Sequence, residues 1–287
     1  MYEIIKNYRT NDALRRSFNT LAEKTFGLNF ENWYQNGFWN HNYTPYSVVI
    51  NGQVVANVSV NRTDMLMGGQ RKRLLQLGTV MTDESCRNRG FIRAIMEEIE
   101  KDYPQVDGVY LFANDSVVEF YPKFGFRKSH EWEYRKAVSL TGQCRMERII
   151  MDAPERWTLL SRAMEENQFH SQCDIVDNPG LIFFYVSQFM QACVYHCAEL
   201  DAWVIAERED STLLIHNVFA KRQLDLDDVI NAFGAGITWV SLGFAPAESA
   251  GWEKTLIDQN DCTFFVKGAA FDDFENKAIR IPSLSHA

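Results

Sequence analysis

The sequence predicts a mixed α/β protein built from two copies of one unit. Three observations point there. Strand patterns alternate with amphipathic helical ones, the order of elements in the first half recurs in the second, and 287 residues exceed one ordinary domain of roughly 100–200 residues. A content of 46% apolar and 23% charged residues is that of a soluble globular chain with a sizeable core.

Taken in order, NDALRRSFNTLAEKTF (11–26) carries Leu14, Phe18, Leu21 and Ala22 at helical spacing, with Asn11 or Asp12 placed to cap it. YSVVI-NG-QVVANVSVN predicts a hairpin, because Asn51-Gly52 suits a two-residue turn with positive φ. After a loop with Gly68-Gly69, RLLQLGTVMT (73–82) is a third strand. SCRNRGFIRAIMEE (85–98) then enters a helix whose apolar stripe is Phe91, Ile92, Ile95, Met96 and Ile99. DGVYLFAN (107–114) is a short buried strand, DSVVEFYPKFGF (115–126) a brief helix broken at Pro122, and EWEYRKAV (131–138) a strand closing the first sheet.

The pattern lapses near SLTGQCRME, which places the boundary at residue 142 and divides the chain into 1–142 and 143–287. A helix near 153–167 follows, then two strands in FMQACVYHCAELDAWVIAERE and another in STLLIHNVFA. A helix in LDLDDVINAFGA and two further strands, ITWVSLGF and DCTFFVKG, complete the repeat.

Several function classes are disfavoured. Nowhere do eighteen apolar residues run together, and the N-terminal stretch lacks the apolar core of a signal peptide, so a membrane role is not expected and the cytoplasm is the default address. A net charge of −9 without a basic stripe argues against nucleic acid. Cys193 and Cys197 of CVYHC have no second ligand pair at zinc-finger spacing, so the six cysteines read as free thiols and no metal is expected.

The chemistry concentrates in RNRGFIR. A helix start offers unpaired N–H groups and a partial positive charge to an anion. Glycine lets the backbone approach a phosphate, and Arg87, Arg89 and Arg93 all lie near that start. Arginine there opposes the helix dipole, so three of them call for something negative nearby. A P-loop (GxxxxGK[ST]) and a dinucleotide fingerprint (GxGxxG) are both absent from the sequence.

LGTVMTDESCRNRGFIRAIMEEIE followed by LFANDSVVEFYPKFGFRK resembles the Gcn5-related N-acetyltransferase superfamily. That family's loop reads [Q/R]-x-x-G-x-[G/A]; Arg87 and Gly90 match it, and Ile92 departs where a small residue is usual. Asn114, Tyr121 and Gly125-Phe126 stand at the spacing of the family's downstream motif. The resemblance covers about residues 1–140 and reaches the second half by element order alone. It implies two tandem domains of this type, each a mixed, mostly antiparallel sheet flanked by helices, and acetyl-CoA as cosubstrate.

Residue by residue, the resemblance implies that the backbone of Val80, Met81 and Thr82 pairs with the pantetheine arm. It implies that Arg87, Asn88, Arg89, Gly90, Phe91, Ile92 and Arg93 hold the pyrophosphate and that Asn114 bonds the arm or positions the acetyl group. Tyr121 would be the general acid to the CoA thiolate, a role open to a phenol protonated at neutral pH; the competing reading is a packed aromatic beside Phe120, Phe124 and Phe126. No motif identifies the base among Asp83, Glu84 and His41. Trp33, Phe38, Trp39 and Tyr43 either line a pocket for a small-molecule or peptide amine or form the seam between the halves. The second unit is read as a degenerate copy: FAKRQLDLDDVI lacks glycine, and Asp225, Asp227 and Asp228 at its helix start repel phosphate. The expected function is N-acetyltransfer to a primary amine; the alternative is a non-catalytic CoA-binding sensor.

Overall fold

The computed structural model describes residues 2–258 and 260–286. Strand β1 (Glu3–Lys6), helix α1 (Asp12–Phe26) and short α2 (Glu31–Gln35) precede the hairpin β2 (Tyr43–Ile50) and β3 (Gln53–Arg62). A small hairpin, β4 (Met65–Met67) and β5 (Gln70–Lys72), leads to β6 (Leu74–Thr82), α3 (Phe91–Asp102), β7 (Gly108–Ala113) and β8 (Arg127–Lys128). Next come β9 (Trp132–Ala137), β10 (Glu147–Arg148), α4 (Pro154–Glu165), β11 (Cys173–Ile175) and α5 (Pro179–Gln188). The chain ends with β12 (Val194–Cys197), β13 (Ala202–Glu209), β14 (Thr212–Ala220), α6 (Leu226–Asn231), β15 (Trp239–Leu242), β16 (Glu253–Leu256) and β17 (Thr263–Lys267).

Local chemistry explains the elements that frame the site. Asn11 Oδ1 accepts from the Ala13 and Leu14 N–H groups and starts α1, which ends at Gly27 in the left-handed conformation. Asn51 and Gly52 take φ of 51° and 77°, the paired positive values of a tight hairpin turn. Helix α3 buries Phe91, Ile95, Met96 and Ile99 on one face of the first sheet, while α1 packs Leu14, Phe18 and Leu21 against the other.

Two seven-stranded sheets run β1-β2-β3-β6-β7-β17-β8 and β10-β12-β13-β14-β15-β9-β16. Both are antiparallel except for one parallel pair at the same place, β6 with β7 and β14 with β15. The sheets therefore share one topology, as the repeated element order predicts. They also exchange a strand. The sequence reading made 131–138 the closing strand of the first sheet; instead β9 pairs with β15 in the second sheet, Trp239 opposite Ala137, and β17 takes the edge of β7 in the first, Thr263 opposite Ala113. The reason is reciprocal closure: the antiparallel edge that each parallel pair leaves open is filled from the other half, burying Tyr134 and Phe265. The boundary at 142 thus divides the chain but not its sheets.

Two more seams join the halves. Strand β4 pairs with β11, Met67 opposite Cys173, in a three-stranded sheet. Helix α5, which the sequence reading missed because it is apolar all round, sinks Phe183 and Phe184 between the units. Because each sheet needs a strand from the other half, the full chain is expected to unfold in one cooperative transition by calorimetry, and a fragment ending at residue 142 is expected to show no cooperative melt. Two resolved transitions, or a fragment that melts cooperatively, would contradict this interlock.

Candidate active site

The parallel pair β6–β7 is held together only at Leu74–Gly108, Leu75–Val109 and Gln76–Tyr110. Beyond Gln76 the strands part, and β6 runs on to Thr82 with its far edge still paired to β3, Asn57 opposite Met81 and Ala56 opposite Thr82. Among the described residues no strand pairs with the edge facing β7, so the polar backbone of residues 77–82 opens on a cleft. A cavity of about 900 Å³ occupies that splay.

The splay is set by a bulge. Register between β3 and β6 slips between Asn57 and Ser59, and Thr79 is driven to φ 45°, a conformation that costs a β-branched residue roughly 1–2 kcal/mol. A buried polar network holds it. The hydroxyls of Tyr43, Ser59 and Thr79 lie 2.8–2.9 Å from one another, and the Thr79 carbonyl accepts from Asn57 Nδ2 at 2.9 Å. Asn57 in turn accepts from Ser47, which meets the Tyr8 hydroxyl at 2.6 Å. Burial pushes the Tyr43 phenol up to about 12, so it stays a neutral bonding partner.

At the lower end of β6 the chain turns through Asn88 (φ 63°) and Gly90 (φ 76°) into α3. A Cβ on Gly90 would meet no neighbouring atom, so what the position needs is the left-handed angle and open space above it. No side chain caps α3 and its first turn holds no acid, which leaves the leading N–H groups directed at the cavity. Arg87, Arg89 and Arg93 line the same mouth; Arg87 meets Glu84 at 3.7 Å and the Arg93 guanidinium lies over Phe124 at 5.3 Å. The second unit contrasts. Helix α6 is capped by Asp225, which accepts from the Asp227 N–H, and Asp227 and Asp228 sit in its first turn. The free edge of β14 is instead met by protein: Gln168 N–H donates to the Ala220 carbonyl, and the Ala220 N–H donates to Asn167 Oδ1 at 3.0 Å.

Across the cavity, Tyr121 is packed against Phe120, Phe126 and Phe265 with ring centroids 5.4–6.1 Å away. It is both a core aromatic and a cavity residue: only 5% exposed, it lines the splay, and its hydroxyl has no hydrogen-bond partner among the described residues. Burial raises its pKa to about 12. Asn114 also lines the cavity, but its Nδ2 donates to Asp261 at 2.8 Å, and the same carboxylate accepts from the Asp115 N–H.

Val80, Met81, Thr82, the whole run Arg87–Arg93, Asn114, Tyr121, Trp33 and Tyr43 border this one cavity. Phe38 and Trp39 do not. Phe38 lies between Trp157 and Phe183, at 4.8 and 4.7 Å, and Trp39 is buried against Trp33 and Phe18. The aromatic segment serves as a seam: Trp33 Nε1 donates to the Gly180 carbonyl at 2.8 Å, and Phe30 stacks on Phe184 at 5.2 Å. Its inner face, with Leu181 and Phe184, is also a cavity wall. Sequence reasoning missed those two, together with Asn61 and Gln76, because their place depends on contacts between the halves. Asp83 is an unsuitable base: Ser85 and Lys24 hold its carboxylate down to about 2. Among the described residues, no three or more His, Cys, Asp or Glu side chains are grouped to hold a metal ion, and no helix is long and apolar enough to cross a membrane.

No curated protein matches the chain. Among solved structures, a probable N-acyltransferase of unknown function from Enterococcus faecalis superposes with a TM-score of 0.62 at 14% identity, over 96% of this chain and 74% of that one. A Gcn5-related N-acetyltransferase from Anabaena variabilis gives 0.57 at 14% identity over 94% and 73%, and one from Kribbella flavida 0.56 at 16% over 94% and 72%. At such identities the likeness is one of fold, and it extends over both units. The sequence model of the acetyltransferase (GNAT) domain matches residues 9–129, the segment that carries the splay, the uncapped helix and Tyr121. That match identifies residues 9–129 as an acetyltransferase (GNAT) domain.

Proposed function

We propose that the protein transfers an acetyl group from acetyl-CoA to a primary amine within the β6–β7 splay. The observation that carries the proposal is the coincidence, in one cavity, of an anion-receptive helix start, an unpaired strand edge and an unpartnered phenol. The diphosphate would sit on the N–H groups of residues 90–93, with the nearby arginines adding charge-assisted bonds. The amide groups of the pantetheine arm would pair with the β6 backbone over Val80–Thr82, as an added strand does. Asn114, with its Nδ2 engaged by Asp261, would offer Oδ1 to an N–H of that arm.

In the reaction the amine nitrogen attacks the thioester carbonyl carbon, the C–S bond breaks, and the Tyr121 hydroxyl gives its proton to the departing thiolate. The attacking nitrogen loses its proton to water, since the cavity wall carries no carboxylate or histidine among the described residues. Burial suits Tyr121 to the acid's role because the desolvation that raises its pKa keeps the proton in place until a thiolate forms. The second unit would bind no CoA; it would supply β17 and the α5 wall.

Replacing Tyr121 by Phe is expected to lower kcat by about 10²-fold or more while the Kd for acetyl-CoA stays within about twofold. Thiol release with calorimetry reads both, and an unchanged kcat would remove Tyr121 from the chemistry. A phenol at about 12 also stays protonated where an ordinary tyrosine, at about 10, has lost half its protons. The kcat profile at saturating substrate should therefore hold level through about pH 10; a descending limb centred there, lost in Tyr121→Phe, would contradict the burial argument.

A further inference from the structure

One polar chain in the cavity wall is directional, and its direction is forced. Asn178 caps α5: its Oδ1 accepts from the Leu181 N–H at 3.3 Å, which a backbone amide can only donate. Its Nδ2 must then donate, and does so to the Arg62 carbonyl at 2.8 Å and to Asn61 Oδ1 at 3.0 Å. Asn61, having accepted there, turns Nδ2 to Gln76 Oε1 at 3.2 Å. Gln76 is left with its NH₂ group as the end of the chain. That nitrogen is buried and without a hydrogen-bond partner among the described residues, in a residue only 1% exposed that borders the cavity. A buried donor left unpaired is costly, and a ligand oxygen would recover the loss.

The surroundings narrow the ligand. Gln76 is the last residue of β6 paired to β7, so it marks the apex of the splay. The same cavity is walled by Tyr43, Trp33, Leu181 and Phe184, and the charged residues among those lining it are arginines around the start of α3. A second positive charge on the acceptor would find no carboxylate there to pair with. Resting on the acyltransferase reading above, we propose that Gln76 positions the acceptor and that the acceptor is a monoamine with an apolar or aromatic body and a carbonyl oxygen beside the amine. That is the chemistry of an α-amino acid amide or of the first residue of a peptide. A pantetheine arm paired along Val80–Thr82 would bring its thioester toward Gly78, and two residues along a strand span roughly 7 Å, a gap that an α-amino carbonyl would bridge to the N–H at Gln76.

The test compares phenylalaninamide, phenethylamine (the same ring and amine without the carbonyl) and spermidine as acceptors, read by thiol release. Wild-type kcat/KM should favour phenylalaninamide over phenethylamine by about tenfold, the effect of one buried hydrogen bond, with spermidine the poorest. In Gln76→Leu that ratio should collapse toward one, and in Gln76→Glu, which keeps an oxygen for Asn61 but puts a charged acceptor where the donor stood, it should fall to one or below. Melting curves confirm that each variant is folded. An unchanged ratio, or spermidine as the best acceptor, would overturn the proposal. Calorimetry with N-acetylphenylalaninamide on the CoA-saturated protein provides a second reading that needs no turnover: Gln76→Glu should bind about tenfold more weakly, and equal affinity would overturn the proposal. If CoA itself does not bind, the acyltransferase reading fails; if CoA binds and the acceptor ratio does not respond to Gln76, only this inference fails.

Discussion

The cavity depends on the parting of β6 from β7 after three paired residues. A parallel pair that stayed closed would satisfy its backbone and leave no room for a ligand. The bulge at Thr79 bends β6 away, and the hydroxyl–amide network from Tyr8 through Ser47, Asn57 and Ser59 to Tyr43 holds a strained, β-branched residue in a left-handed conformation. That network is buried and neutral, so its bonds gain from the low dielectric without the cost of buried charge. The strand edge it exposes and the helix start it aims at the cavity are two consequences of one distortion.

The second unit contributes through packing. It repeats the topology, including a parallel pair that also parts, but there the free edge of β14 is met by chain and the helix start is sealed by its own aspartates. What it gives the first unit is β17, which completes the sheet beside Tyr121, and α5, whose Leu181 and Phe184 wall the cavity. The burial of Tyr121 is thus partly an inter-unit effect: Phe120 and Phe126 cover it from its own half and Phe265 from the far end of the chain.

Local signals were legible in the sequence. The Asn11 cap, the Asn51-Gly52 turn, the α3 stripe and the lone Gly90 each declare their conformation through neighbouring residues alone. Asn114 and Tyr121, singled out by the motif their spacing resembles, both border the cavity, while Gly125 and Phe126 do not. What stayed hidden was non-local. EWEYRKAV is a good strand whichever sheet it joins, and nothing in its pattern says that it pairs with Trp239–Leu242. The aromatic run 33–43 could be read as pocket or seam, and it divides: Trp33 and Tyr43 face the cavity while Phe38 and Trp39 pack away from it. PGLIFFYVSQ has no period to betray a helix because both its faces are buried. Gln76 sat unremarked inside an ordinary strand, since its unpaired nitrogen follows from a cap two elements and one domain away.

On the acyltransferase reading one splay per chain, the one ending at Gly90, would receive CoA. Isothermal titration of acetyl-CoA tests it most directly. One site per chain is expected, lost in Gly90→Asp, where a carboxylate would face the diphosphate and the left-handed angle is penalised. Two sites per chain, no binding at all, or binding indifferent to Gly90→Asp would contradict it.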